Sequence, residues 1–339
     1  MVTTCTEFVE FAPPSRGIES NTWDCLAVFF ISKFLVHSAI MNSKPKIIVV
    51  VGPTASGKTA LSISLAKEFA GEVISADSRQ VYKGLDIGTG KVTTKEMAGV
   101  PHHLLDVVEP SEIFTGADFV RLANIAIEDI TNRGNLPIIA GGTFFYVDLL
   151  RGKMQAAPVA PDSDFRTTLE QYTNQELFEL LQSKDSRRAN SIEQHNRRRL
   201  VRALEVIHTL GAVPEQTETE SPYECLVLGI DIEKEALLQK FKQRITHWLA
   251  NGFQAEVERL QTEGISDARF QEFGFEYTLM LEYMRGEITE PELTEKFVQK
   301  NWQYAKRQKT WLKRDKEVVW LQPDDTDDAS ALVKKFLAG

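Results

Sequence analysis

The run VVVGPTASGKTALS, residues 49–62, holds a Gly-x-x-x-x-Gly-Lys-Thr pattern from Gly52 to Thr59. Residues of these types in this order make a cradle for phosphate. The loop Gly52, Pro53, Thr54, Ala55, Ser56 and Gly57 turns backbone N–H groups inward as an anion nest, and the helix behind it adds its positive end. Lys58 neutralises phosphate oxygens and the Thr59 hydroxyl ligates Mg²⁺. A chance glycine-rich turn is the plain alternative, disfavoured by an apolar run before the loop and a helical pattern after it. The pattern says that phosphate is held, but not whose phosphate.

A second chemical group is Asp77, in SADSRQVY. We expect it at the carboxyl end of a parallel strand next to the P-loop strand, facing the ligand crevice. There it can act as a general base, partner a metal, or simply cap the next turn, and position alone does not choose between the three. The strand NLPIIAGG ends in Gly-Gly-Thr, so the Mg²⁺-binding acid usual in P-loop kinases is missing there. Two basic runs add a third theme. Residues 184–202 hold seven Lys or Arg against two acids, and residues 299–316 hold seven against one, interleaved with Trp302, Tyr304 and Trp311. Such mixtures suit looped RNA, whose bases stack while its phosphates are neutralised; a solvated charged face is the alternative. His102 and His103 are adjacent and lack metal-ligand spacing, and the remaining histidines are scattered.

The elements that must position these groups read as an α/β fold. KIIVVV (46–51), EVISADS (72–78) and NLPIIAGGT (135–143) are buried parallel strands. Leu61, Leu65 and Phe69 mark one helix face, and FVRLANIAIEDITNRG is a second helix. A linker at 153–164 leads into helical, polar segments that run to about His208. CLVLGIDI (225–232) resumes the strand pattern, helices follow at 234–252, 253–264 and 291–314, and VVWL (318–321) is a last strand. We expect a P-loop parallel sheet core flanked by helices, split as 46–152 and 209–339 around a helical insertion at 153–208.

The whole chain fits this picture. It has 339 residues, is 42% hydrophobic and carries a net charge of −9. That charge argues against uniform coating of nucleic acid and leaves room for a local basic face. Three distant cysteines suggest neither disulfides nor zinc. A reducing cytoplasm fits best. Residues 1–45 read as an extension, dispensable ahead of Met41. Within it, CLAVFFISKFLVHSAI (25–40) contains Lys33 and His37 and falls short of the roughly 20 residues that span a bilayer. No membrane association is expected.

GPTASGKT, ISADSRQVYKGLDIGTGK, GVPHHLLDVVEP and GGTFFY, then RRRLVRALEV, QRITHWLANGFQAEV and QYAKRQKTWLKRD, follow one another in this order. In this the chain resembles the tRNA dimethylallyltransferases over roughly residues 46–321. The resemblance implies transfer of a dimethylallyl group from dimethylallyl diphosphate to N6 of the adenine 3′ to the anticodon. The P-loop would then hold a prenyl diphosphate, which accounts for the missing acid. It further implies that Asp77 is the general base and that Arg244, with Lys58 and Mg²⁺ on Thr59, stabilises the departing diphosphate. Thr143 would stand near the donor and the reacting amine. Asp77, Ser78, Arg79 and Gln80 would recognise the target adenine, with Phe145, Arg198, Arg199 and Arg202 contacting the tRNA anticodon stem-loop. A monomer is implied.

The chain departs from the family pattern in several places. FGFEYT (273–278) stands for Ile-Gly-Tyr-Arg-Gln, so Glu276 replaces an arginine. HNRRR stands for Asn-Asp-Pro-Gln-Arg, GGT is followed by Phe144 and Phe145, and Trp302 replaces a common arginine. An adenylate dimethylallyltransferase acting on free AMP, ADP or ATP is the first rival, disfavoured by the arginine-bearing insertion. A small-molecule P-loop kinase is the second, and a non-enzymatic RNA-binding module leaves the P-loop and Asp77 unexplained.

Overall fold

A computed structural model describes residues 44–215 and 217–339. Nearly all of the expected extension over residues 1–45, including the apolar run 25–40, therefore lies outside the described residues. Among the described residues, six strands form one parallel sheet in the order β3-β2-β4-β1-β5-β6. They are β1 (Lys46–Val51), β2 (Gly71–Ser75), β3 (His102–His103), β4 (Leu136–Ala140), β5 (Glu224–Ile230) and β6 (Val318–Leu321). No helix among these residues is long and apolar enough to cross a membrane.

KIIVVV is apolar on both faces because both faces are covered. Ile47, Val49 and Val51 pack under α3 (Gly116–Asn132) and α4 (Phe144–Leu150), where Phe119 and Tyr146 stack with centroids 4.5 Å apart. Ile48 and Val50 meet α1 (Lys58–Glu68) and the C-terminal helix Thr326–Ala338 on the other face. Leu61 and Leu65 of α1 are buried there and Phe69 packs beside them, as their spacing predicts. A short helix α2 (Thr94–Met97) precedes β3.

Between α4 and β5 lie α5 (Ser163–Leu169), α6 (Asn174–Lys184), α7 (Ser186–Ser191) and α8 (Arg197–Leu210), in the segment expected as an insertion, around an apolar cluster of their own that includes Leu177, Leu181, Leu200 and Leu204. After β5 comes a helical layer: α9 (Lys234–Ala250), α10 (Phe253–Thr262), α11 (Asp267–Phe273), α12 (Phe275–Met284) and the 23-residue α13 (Glu290–Leu312). Its core is aromatic, with Phe241, Phe253, Phe270, Phe273, Tyr277 and Phe297 all buried. The sequence pattern does not mark α11 and α12. FEYTLMLEYM is apolar on nearly every side because the helix is enclosed, so it carries no 3.6-residue period to read.

Three strands stop short of the expected bounds, β5 ending at Ile230 instead of 232. β2 ends at Ser75 because Asp77 Oδ1 accepts the N–H groups of Arg79 (2.9 Å) and Gln80 (3.3 Å) and turns the chain. β4 ends at Ala140, where Gly141 slides under Ala76 so closely that a Cβ would lie 2.1 Å from the Ala76 carbonyl oxygen. The expected adjacency of Asp77's strand to the P-loop strand is also corrected: β4 pairs with both and lies between them.

Glu72 anchors β2 from beneath. It accepts Asn135 Nδ2 at 2.7 Å, lies 2.6 Å from His103 Nε2 and is paired with Arg133. Burial alone would raise this carboxyl, but the hydrogen bonds from Arg133, His103 and Asn135 outweigh it and hold it at about 2 against the ordinary 4.5. A depressed carboxyl contributes stability that is complete above 4.5 and lost as pH falls toward about 2. We therefore expect Glu72→Gln to lower unfolding free energy at neutral pH by on the order of 2 kcal/mol. Urea unfolding from pH 7 to pH 3 should show the wild type losing that margin and the variant keeping a flatter profile.

Candidate functional site

The carboxyl ends of β1, β2 and β4 meet at one edge of the sheet, and the loops that leave them form the site. Gly52 begins the P-loop at φ 154, against the β5 backbone, where a Cβ would stand 3.0 Å from the Ile230 carbonyl oxygen and 2.8 Å from Ser56 Oγ. Ala55 is held in the left-handed region at φ 62 and Gly57 opens α1 at φ 103. A non-glycine in that region is strained, as is common where backbone is shaped for a ligand. Ser56 Oγ is buried and has no hydrogen-bond partner. Lys58 Nζ donates to the carbonyls of Gly52 (3.1 Å) and Pro53 (2.8 Å). Burial, reinforced by Arg244 and opposed by Asp77, pushes its ammonium down to about 8. A bound polyanion would reverse that balance.

Arg244 arrives from α9. Its Nη1 donates to Thr54 Oγ1 at 3.0 Å and its guanidinium lies over the Trp248 ring at 5.7 Å. Burial lowers its pKa, while Glu276 and Asp77 work the other way. Thr59 is exposed just beyond the loop. Among the described residues no group of three or more His, Cys, Asp or Glu is arranged to hold a metal. Mg²⁺ commonly keeps several waters and binds through one or two protein oxygens and substrate phosphates; the exposed Thr59 hydroxyl would be one such oxygen.

On the other side, Thr143 ties the loops after β2 and β4. Its N–H donates to the Ala76 carbonyl (3.2 Å) and its Oγ1 accepts the Ser78 N–H (3.0 Å). These bonds fix the turn that carries Asp77, whose charge acts on Lys58 of the P-loop. Arg79 Nη1 pairs with Glu276 at 2.6 Å. Gln80 is committed within the fold: Oε1 accepts Ser75 Oγ (3.1 Å) and Nε2 donates to the Gly90 carbonyl (3.3 Å). Phe144 is core, whereas Phe145 is 40% exposed beside the site.

The insertion arginines divide. Arg198 is exposed, and Arg199 is exposed with a 3.8 Å contact to Glu193. Arg202 is turned inward, paired with Glu205 and donating to the Val159 carbonyl at 2.7 Å. Arg197, in the departing HNRRR segment, caps the carbonyls of Tyr172 (2.6 Å) and Leu169 (2.9 Å). Trp302 packs against the helical layer with Lys234 Nζ 5.6 Å from its ring, and Trp311 Nε1 donates to Asp148 at 2.7 Å. Both rings are half-buried and engaged by the fold.

A family model described as IPP transferase matches residues 80–315. The chain belongs to this family. A tRNA dimethylallyltransferase from Halalkalibacterium halodurans is 39% identical over 308 residues, covering 87% of this chain and 98% of that protein. One from Anoxybacillus flavithermus is 40% identical over 288 residues, covering 84% and 91%. The solved structure of a eukaryotic dimethylallyltransferase acting on tRNA aligns with a TM-score of 0.74 at 28% identity, covering 87% of this chain and 80% of that one.

The motifs do not reveal the side chains that hold the loops in place. Gln308 accepts the Thr54 N–H at 2.9 Å and donates to the Gly142 carbonyl at 3.0 Å. Its legible sign was a polar residue on the buried stripe Phe297, Asn301, Ala305, Gln308, Leu312 of α13. Glu256 accepts the N–H groups of Asp86, Ile87 and Gly88 and the Tyr277 hydroxyl. Asp231, just past β5 and so on the other side of the P-loop strand, pairs with Lys309 at 2.5 Å. Gln308→Leu would leave a half-buried donor in one loop and a half-buried acceptor in the other without this partner, at about 0.5–1.5 kcal/mol each. Chemical unfolding should show that loss for Gln308→Leu and about half of it for Gln308→Glu, which keeps the acceptor for Thr54.

Proposed function

We propose that this protein transfers a dimethylallyl group from dimethylallyl diphosphate to N6 of the adenine 3′ to the anticodon in tRNA, releasing diphosphate. The observation that carries the reading is the electrostatic neighbourhood of Asp77, whose negative charge acts on both Lys58 of the P-loop and Arg244 of α9. A carboxylate able to take a proton stands beside two cations able to hold a leaving polyanion. The printed names of the relatives, tRNA dimethylallyltransferases, agree with it.

In this reading the loop from Gly52 to Gly57 and the positive end of α1 bind the diphosphate. Lys58 exchanges its two loop carbonyls for phosphate oxygens, and Arg244 neutralises charge that grows as the carbon–oxygen bond breaks. Electrostatic stabilisation of that kind is usually the largest single contribution. Mg²⁺, held through Thr59, supplies further charge neutralisation when bound. Asp77 takes the N6 proton as the amine attacks the allylic carbon, while Thr143 fixes the turn that presents it. The exposed Arg198 and Arg199 contact tRNA phosphates, Phe145 lies against the RNA, and Arg202 holds the insertion together. The protein acts as a cytoplasmic monomer.

Two experiments test this. Radiolabelled dimethylallyl diphosphate with Mg²⁺ should label unmodified anticodon stem-loop RNA and leave AMP and ATP unlabelled; label in the nucleotides instead would move the acceptor to a free adenylate. Asp77→Asn should cut turnover by about 10²–10⁴-fold with RNA affinity within about twofold of wild type, and an equal loss of affinity would make Asp77 a binding residue. Separately, Arg198→Ala with Arg199→Ala should reduce the slope of log affinity against log salt by roughly 1–2. Arg202→Ala should lower the unfolding midpoint and leave the slope unchanged.

A further inference from the structure

Glu276 stands where the family pattern has an arginine, and its surroundings show what an acid does there. It lies in the first turn of α12 with its side chain 9% exposed, and takes Arg79 Nη1 at 2.6 Å. Gly274, at φ 134, forms the floor of the slot: a Cβ there would lie 2.3 Å from the Arg79 guanidinium carbon. The guanidinium is thus laid over a glycine and held at its end by a buried carboxylate. Arg79 is also two residues from Asp77, and its own N–H donates to Asp77 Oδ1 at 2.9 Å. Its side chain therefore has two carboxylates to choose from, and the fold gives it the one that is not needed for proton transfer.

We propose that Glu276 is a positioning residue that holds the Arg79 guanidinium away from Asp77, leaving the Asp77 carboxylate open to the acceptor amine. This rests on the role given to Asp77 above. The need for such a device follows from the groups already facing Asp77. Lys58 comes from the P-loop helix, Arg244 from α9, Tyr304 from α13, Tyr146 from α4 and Arg79 from its own turn. Glu276 faces Arg244, Arg79 and Tyr304 from α12, and Arg307 faces Tyr304. Two cations beside the base serve the diphosphate. A third, paired with the base itself, would occupy its oxygens and lower its proton affinity. A basic residue at 276 would not serve here, because it would repel Arg79 toward Asp77.

The test compares wild type, Glu276→Gln, Arg79→Ala and the double variant in transfer to anticodon stem-loop RNA across pH, with Asp77→Asn alongside. Glu276→Gln should lower kcat about tenfold with RNA affinity within about twofold, and move the acid limb of kcat/KM down by about one pH unit. In the Arg79→Ala background the same substitution should cost less than about twofold and leave that limb in place. Equal losses in both backgrounds, or an unchanged rate and profile for Glu276→Gln where Arg79 is present, would overturn the inference. Should Glu276→Gln fail to fold, Glu276→Ala is read the same way in both backgrounds, and Glu276→Asp, which keeps the charge, should restore the wild-type limb. Full activity in Asp77→Asn would remove the base assignment itself. Normal dependence on Asp77 without coupling between 276 and 79 would remove only the role given to Glu276.

Discussion

The Gln308 carboxamide is the tie on which the site's geometry depends. Parallel strands that end at one edge leave loops whose backbone groups have no ladder to join. Gln308 satisfies one such group from each side, the Thr54 N–H of the P-loop and the Gly142 carbonyl of the turn that carries Thr143. It does so from the middle of a 23-residue helix whose buried stripe runs into the aromatic helical layer. The loop that can hold phosphate and the turn that presents Asp77 are therefore referred to one rigid element. For a reaction between two bound partners this matters, because misplacement by about 1 Å can cost about 100-fold in rate.

Buried carboxylates do similar work around the acceptor side. A buried charge is costly unless it is paired or well hydrogen-bonded, and each of these carboxylates accepts several hydrogen bonds. Glu256 gathers the 86–88 backbone and Tyr277 into one knot. The next residues, Thr89 and Gly90, present the carbonyls that hold the Gln80 amide. Glu205 does the same in the insertion, accepting the Asp162 N–H at 2.7 Å together with Arg166 and Arg202. An acidic chain that handles anions is less paradoxical on this view, since several of its acids are organisers inside the fold and its cations converge at the sheet edge.

The basic run at 184–202 shows how composition and placement part company. Its arginines look alike in sequence, yet Arg197 and Arg187 cap carbonyls, Arg202 is locked to Glu205, and Arg198 and Arg199 face outward. A helix presents successive residues about 100° apart, so neighbours in a run of arginines meet different surroundings. The aromatic residues of the second run divide likewise, with Trp302 and Trp311 engaged by the fold and Tyr304 within the influence of the Asp77 charge.

What could be read along the chain was whatever is local. KIIVVV followed by GPTASGKT states a buried strand, a phosphate loop and a helix start within fourteen residues, 46–59, because strand propensity, glycine conformation and helix capping act over a few residues. Asp77 could be picked out, and its three possible roles could not be separated, because its capping bonds are local while the cations it faces are not. The long-range choices came from packing. β4 entered between β1 and β2, Thr54 met Gln308 across 254 residues, and Arg79 met Glu276 across 197. No periodicity encodes such pairings. They are settled when apolar faces close over one another and each polar group carried inside must find a partner where it lands.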